Sequence, residues 1–225
     1  MNLIVFDIDD TLTQSVSQHQ LAYVQAMKVI GVTDINQNWK AYKHHTDSYI
    51  LKENYESNFK DRFDPALLDD FENKMVDIMN TLEPVKAISG AGSFVDFLRN
   101  EKNYALTFAT GSLLKPAILK LEQAGIWHAK ELIVAANRFY ERELIVSEAI
   151  EKARQYYKVS DFENIISIGD GIWDMQTAIN LGLRFIGVGL KNYADFVQAG
   201  IEVHTENWEH FDFSAAELHL FKKKE

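Results

Sequence analysis

Cysteine is absent from the chain, so neither disulfides nor thiolate metal sites are open to it. No apolar run approaches the roughly 18 residues of a membrane span. The N-terminus also lacks a charged region and an apolar segment followed by a cleavage site. The expectation is a soluble, cytoplasmic protein with no membrane partner. Basic residues are in deficit: 23 Lys and Arg stand against 33 Asp and Glu, for a net charge of -10. Nothing on the global scale attracts a phosphate backbone, which argues against a nucleic acid partner. A small anionic substrate needs only local positive charge and is still allowed. Internal repeats and low-complexity tracts are absent too. What remains is a globular mixture of 225 residues, 47% hydrophobic and 25% charged, long enough for one large core or a core with a smaller appended domain.

The first dozen residues read M-N-L-I-V-F-D-I-D-D-T-L. The apolar run Leu3 to Phe6 stops at Asp7, and Asp9 follows two positions later. A continuous run of this kind predicts a strand buried on both faces of a parallel sheet. The two acids then sit at its carboxyl end, the edge where open α/β sheets bind ligands. Paired acids there can hold a cation and divide nucleophilic and acid/base work. Taken alone, a D-x-D is as readily a loop capping the next helix.

From Thr13 to about Pro84 the spacing turns helical and no strand is evident. Ala22, Met27, Val29 and Ile30 mark a first helix, with Ser17 as a possible N-cap and Gly31 at its end. Tyr49 to Leu51 begin a second, with Thr46 or Asp47 able to cap it. Asp64-Pro65 begins a third that carries Leu67, Leu68, Phe71, Met75, Ile78 and Met79. This predicts a helical subdomain over 15–84, inserted after the first strand of a core made of 1–14 and 85–225. Small residues from Ser89 to Gly92 mark the return.

Strand-like runs then alternate with helices: Tyr104 to Ala109 ending at Thr110-Gly111-Ser112, Leu132 to Ala135, Ile165 to Ile168 ending at Gly169-Asp170, and Phe185 to Val188. Helices are expected from about Leu113 to Gln123, from the charged Arg138 to Glu143 loop to Tyr157, and from Asp174 to Gly182. The fold class predicted is α/β, a doubly wound parallel sheet with an inserted all-helical cap. A short strand near Val203 and an aromatic tail follow, and Lys222-Lys223-Lys224 reads as a solvated end.

In a parallel sheet, Asp7 and Asp9, Thr110 and Ser112, and Asp170 and Asp174 all come to one edge. With that order and strand context the sequence resembles the haloacid dehalogenase superfamily from Leu3 to about Val188. That superfamily has a strand ending D-x-D-x-T, a strand ending in Ser or Thr, a Lys or Arg, and a strand ending G-D-x-x-x-D. The resemblance implies Asp7 as nucleophile, forming an aspartyl-phosphate, and Asp9 as the acid that protonates the leaving alcohol and then deprotonates water. It implies Mg²⁺ held by the Asp7 side chain, the Asp9 backbone carbonyl and Asp170, with Asp174 a ligand or a supporting acid. It also implies that Thr110, Gly111 and Ser112 bind phosphoryl oxygens.

The commonest pattern of related phosphatases has a Lys-Pro some 25 residues before the acidic motif, and none occurs there; Lys115-Pro116 comes too early. Arg142, 28 positions before Asp170 at the start of a helix, is the preferred basic residue. Its planar fork suits phosphate binding. Arg138 and Lys152 are the alternatives. Asp10 stands where the superfamily often has Gly and reads as a loop or capping residue, Trp173 as a packing residue. Specificity is expected from the helical cap, with Trp39 to Asp47 as the stretch placed to cover a small phosphorylated metabolite. The adjacent His44 and His45 point apart and make no metal site.

The leading expectation is a Mg²⁺-dependent phosphomonoesterase. A phosphomutase of the β-phosphoglucomutase kind keeps the same acids. A dehalogenase has no need of Asp9, and a catalytically silent binding module would be expected to lose a motif acid.

Overall fold

A computed structural model describes residues 1–221 of the chain, and the Lys222–Lys224 run lies outside the described residues. Strand β1, Asn2–Phe6, is buried along its whole length. Side chains alternate across a strand, so Ile4 and Phe6 enter one core layer with Phe94, Leu121 and Trp208. Leu3 and Val5 enter the opposite layer with Ile145, Ala149 and Ala153. This two-sided burial is why the run carries no polar residue until it ends.

The remaining sheet strands are β4 (Tyr104–Ala109), β5 (Ile133–Val134), β6 (Ile165–Gly169), β7 (Arg184–Val188) and β8 (His204–Thr205); β2 and β3 lie apart from them. The order is β5-β4-β1-β6-β7-β8, and every pairing is parallel. The doubly wound sheet is therefore as predicted. The chain builds outward from β1 on one side and then returns to the other, so β1 lies between β4 and β6 at the topological switch point. Phe6 is level with both Phe108 and Ile168, which brings Asp7, Thr110 and Asp170 to one edge.

Helices α4 (Ala91–Asn100), α5 (Leu114–Gln123), α6 (Arg142–Tyr157), α7 (Ile172–Asn180), α8 (Tyr193–Gln198) and α9 (Phe213–Leu220) belong to this layered core. Between β2 (Thr13–Gln14) and β3 (Lys86–Ala87) come α1 (Val16–Val29), α2 (Asp47–Phe59) and α3 (Leu67–Met79). These three pack about a cluster of their own containing Tyr23, Met27, Leu51, Phe71 and Met75. Leu113 from the sheet side reaches into it.

Three local expectations are corrected. Strand β5 is only Ile133–Val134, because Leu132 closes a 3-10 turn. Helix α1 is preceded by Ser15, not Ser17, and Ser15 does not cap it: its hydroxyl turns to Asp9 and Thr13. Thr46 precedes α2 but gives its hydroxyl to the carbonyl of Tyr140, 3.0 Å away. The antiparallel pairing of β2 with β3, which ties together the two crossings into the helical insert, had no sequence signal beyond two residues on each side.

Candidate active site

Each strand end delivers its side chain for a local reason. After β1 the backbone turns sharply at Asp10, whose φ of 53° is a left-handed conformation that Gly adopts most easily. That accounts for Asp10 as a turn residue. The turn aims Thr11 back at the strand end, where its hydroxyl donates to Asp7 Oδ2 at 3.1 Å. After β4, Thr110 is buried and its hydroxyl accepts the Ser112 N–H at 3.1 Å. After β6, Gly171 opens α7, and its N–H donates to Asp174 Oδ2 at 3.0 Å.

Asp7, Asp170 and Asp174 meet there: each offers a carboxylate oxygen, and these lie within 4.8 Å of one another. Arg142, the first residue of α6, inserts its guanidinium between two of them, with Nη1 3.2 Å from Asp7 Oδ1 and 3.3 Å from Asp174 Oδ1. Three buried acids have Arg142 as the cation in contact with them, with Lys191 a further counter-charge to Asp170. Burial raises the Asp7 pKa well above the ordinary carboxylate range, Asp174 adds to this, Arg142 opposes it, and Asp170 and Asp9 add further. Asp170 is pushed up to about 8 by burial, then by Asp174 and Asp10. Asp174 is also raised by burial, against the pull of Arg142. Uncompensated oxygen ligands of this kind fit a hard divalent cation, which would relieve the repulsion that raises them.

The Asp9 carboxylate lies outside that cluster. Lys120, fully buried in α5, donates to Asp9 Oδ1 at 2.7 Å and Oδ2 at 2.9 Å. Ser112 Oγ donates to Asp9 Oδ2 at 2.8 Å, and the Ser15 hydroxyl donates to Oδ1. Burial alone would raise the Asp9 pKa, but the charges of Lys120 and His19 and the hydrogen bonds from Lys120 and Ser15 outweigh it. They hold the carboxyl well below its usual range.

The helical insert closes over these groups. The Asp47 N–H donates to the Gly111 carbonyl at 2.8 Å, and Asp47 Oδ2 accepts the Leu113 N–H at 2.9 Å. His19 Nε2 lies 3.0 Å from Asp47 Oδ1. A Cβ at Gly111 would come within 2.6 Å of the His45 carbonyl and 3.2 Å of the Arg142 guanidinium carbon, so only glycine allows this approach. The cavity beneath the insert, which opens to solvent, measures about 160 Å³. Its floor carries Asp7, Asp9, Thr110, Gly111, Ser112, Arg142 and Asp170, and its roof His19, Tyr23, Trp39, His45 and Ile50. Arg142 Nε and His19 Nδ1 are buried without a hydrogen-bond partner.

All the sequence-predicted site residues thus lie together, although Asp174 sits behind Arg142 and does not line the cavity. Of the stretch from Trp39 to Asp47, Trp39, His45 and Asp47 line it, whereas Lys40 and Lys43 are exposed. Lys115 pairs with Asp69, away from the site. Arg138 stacks on Phe139. Trp173 is not buried packing: it lines the cavity under His45. Sequence reasoning missed Lys120, whose only signal was a lysine in register with Pro116, Ala117 and Leu121 on the buried face of α5. It also missed Lys191, at the cavity wall.

No curated protein matches the chain. Among solved structures it is similar to a hydrolase from Pseudomonas syringae, at 18% identity and a TM-score of 0.71, covering 97% of this chain and 99% of that one. It is similar to a HAD hydrolase of family IA, variant 3, from Entamoeba histolytica, at 17% identity and a TM-score of 0.69, covering 95% and 96%. CbbY from Rhodobacter sphaeroides, solved with phosphate, is similar at 16% identity and a TM-score of 0.67, covering 92% and 95%. At such identities the likeness is one of fold. The family model for haloacid dehalogenase-like hydrolases matches residues 4–188, spanning every strand end that carries an acid, and the chain belongs to that family.

Proposed function

We propose that the chain is a phosphatase hydrolysing the monoester of a small cytoplasmic metabolite, with Mg²⁺ as cofactor. One observation carries the reading: the acids are divided between two environments. Asp7, Asp170 and Asp174 form an electron-rich cluster suited to a cation, while Asp9 stands apart on its own counter-ion, Lys120. A dehalogenase has no use for that second, separately held acid.

Mg²⁺ held by Asp7, Asp170, the Asp9 carbonyl and Asp174, directly or through water, would neutralise the phosphate against which an anionic nucleophile must move. The chain's own groups do the rest. Asp7, steadied by Thr11 and Arg142, attacks phosphorus; the bond from phosphorus to the ester oxygen breaks, and the leaving oxygen takes a proton that a monoanionic phosphate ester brings in and the Asp9 carboxylate passes on. Water then attacks the aspartyl-phosphate, Asp9 accepts its proton, and the bond to Asp7 breaks to release phosphate. The Thr110 hydroxyl, the Gly111 N–H and the Arg142 guanidinium line the cavity as donors for phosphoryl oxygens, while both Ser112 donors are engaged, the hydroxyl with Asp9 and the N–H with Thr110.

A phosphomutase must hold a bisphosphate, and so needs a second anion site opposite the nucleophile. Among the described residues the insert contributes no Lys or Arg to the cavity wall, and it places Asp47 there. That weighs against a second phosphate held by the insert, although Lys191 of the core also stands at the wall. Phosphate release from p-nitrophenyl phosphate and from a panel of metabolite phosphates, with Mg²⁺ or with excess chelator, tests the reading. Metal-dependent release is the expected result, and release unaffected by chelator refutes the assigned cofactor.

A further inference from the structure

Lys120 occupies a place where the helix pattern calls for an apolar residue. Pro116, Ala117 and Leu121 share its buried face. Helical side chains lean toward the helix N-terminus, so the lysine stem runs back along α5 to the loop from which the helix starts. There the ammonium has three acceptors: Asp9 Oδ1, Asp9 Oδ2 and Ser112 Oγ, the last at 2.7 Å. Its exposure is 0%. Burying an ammonium is costly unless it is fully paired, and every partner it has here belongs to the proposed acid/base group or to the serine that also holds that group. The site therefore holds two buried cations with separate duties, Arg142 on Asp7 and Asp174, and Lys120 on Asp9.

We infer that Lys120 is a positioning residue that fixes the Asp9 carboxylate for proton transfer at the ester oxygen. Asp9 is held from three directions, by Lys120, Ser112 and Ser15, and Lys120 is the one that reaches both of its oxygens. Lys120 does not line the cavity and acts through Asp9 and through the Ser112 hydroxyl that also holds Asp9. The inference rests on the phosphatase reading, and its test separates the two.

The test is a cycle of Lys120→Met, Asp9→Asn and the double variant, assayed with Mg²⁺ on p-nitrophenyl phosphate and on glycerol 2-phosphate. Methionine keeps the stem and removes the charge. Misplacing a catalytic group by about 1 Å costs about 100-fold. Lys120→Met should therefore lower kcat on the alkyl ester by about that factor, with KM nearly unchanged because the phosphate contacts are intact. The aryl ester, whose leaving group needs little help from an acid, should fall less. In the Asp9→Asn background, adding Lys120→Met should change kcat on the aryl ester by less than about 2-fold, because interacting residues are not additive. A purely structural lysine would cost the same factor in both backgrounds and on both esters, and that result overturns the inference.

Should Lys120→Met fold poorly, Lys120→Ala decides. Added n-propylammonium should restore turnover where 1-propanol does not, and failure of that rescue overturns the inference as well. Wild-type protein inactive on every ester overturns the phosphatase reading and this inference together. Active wild type with an additive cycle overturns the inference alone.

Discussion

The imidazole of His45 lies over the indole of Trp173, with ring centroids 4.8 Å apart and planes inclined by 24°. One ring comes from the helical insert and the other from the start of α7, so the stack closes the cavity across the two. Burial, followed by the charge of Arg142, lowers the His45 pKa, which keeps the ring neutral in neutral solution. Such a stack contributes about 0.5–1.5 kcal/mol beyond the area it buries. His45→Ala or Trp173→Ala should raise KM by about 3- to 10-fold and leave kcat within a small factor, measured by initial rates on the best substrate. A fall in kcat at constant KM would show that the stack serves the chemistry and not closure.

Asp7→Asn tests the nucleophile. The amide cannot form the acyl phosphate, and loss of a nucleophile costs at least about 10³-fold in kcat. The same change removes one buried acid from a cluster of three whose ionisation burial and mutual repulsion oppose, so the metal-free protein should melt at the same temperature as the wild type or higher. Turnover within 10-fold of wild type, measured by phosphate release, would take Asp7 out of that role.

Without metal, stability should depend on pH in a direction set by the same cluster. Asp170, at about 8, and Asp7, above its ordinary range, keep protons in the folded chain that the unfolded chain has lost above pH ~4. Their contribution is complete in acid and is lost as pH rises through about 8. Asp9, held low, works the other way, and only below pH ~4. A divalent cation must displace those protons, so its stabilisation should grow over the same interval. Melting curves from pH ~5.5 to ~9, with chelator and with Mg²⁺, should show the chelated protein weakening and the gap widening. A constant gap would place the cation elsewhere, and Asp170→Asn should flatten the dependence.

Gly111→Ala adds one methyl group, and its position 2.6 Å from the His45 carbonyl forces a shift. The insert is the part that can move. KM should rise more than kcat falls, and exposure of the Asp47 N–H, whose bond to Gly111 holds the insert down, should rise in hydrogen exchange. Unchanged exchange at Asp47 would show that the insert does not yield there.

The sequence carried the sheet clearly because β1, β4, β6 and β7 are buried on both faces, so each apolar run ends abruptly at the polar loop. The same abruptness placed Asp7, Thr110 and Asp170 at strand ends, and parallel pairing did the rest. Arg142 was legible from its place at a helix start. Lys120 was not, because a lysine in an amphipathic helix reads as solvated unless one asks which face it falls on. The partner on which Trp173 packs was not legible for a related reason: its neighbours in sequence are acids of the site, but its contact, His45, lies more than a hundred residues away. Ser15 carried no signal of its own, and nothing local revealed that its hydroxyl belongs to Asp9.

The short ribbon in which Thr13 pairs with Ala87 and Gln14 with Lys86 brings the entry and exit of the insert side by side. A segment whose two ends meet can be exchanged as a cassette, since a replacement needs only to span the same narrow gap and the threading of the sheet is untouched. Substrate preference can therefore be re-engineered by transplanting a different bundle between Ser15 and Val85, and the acids at the strand ends would keep their register while it changes.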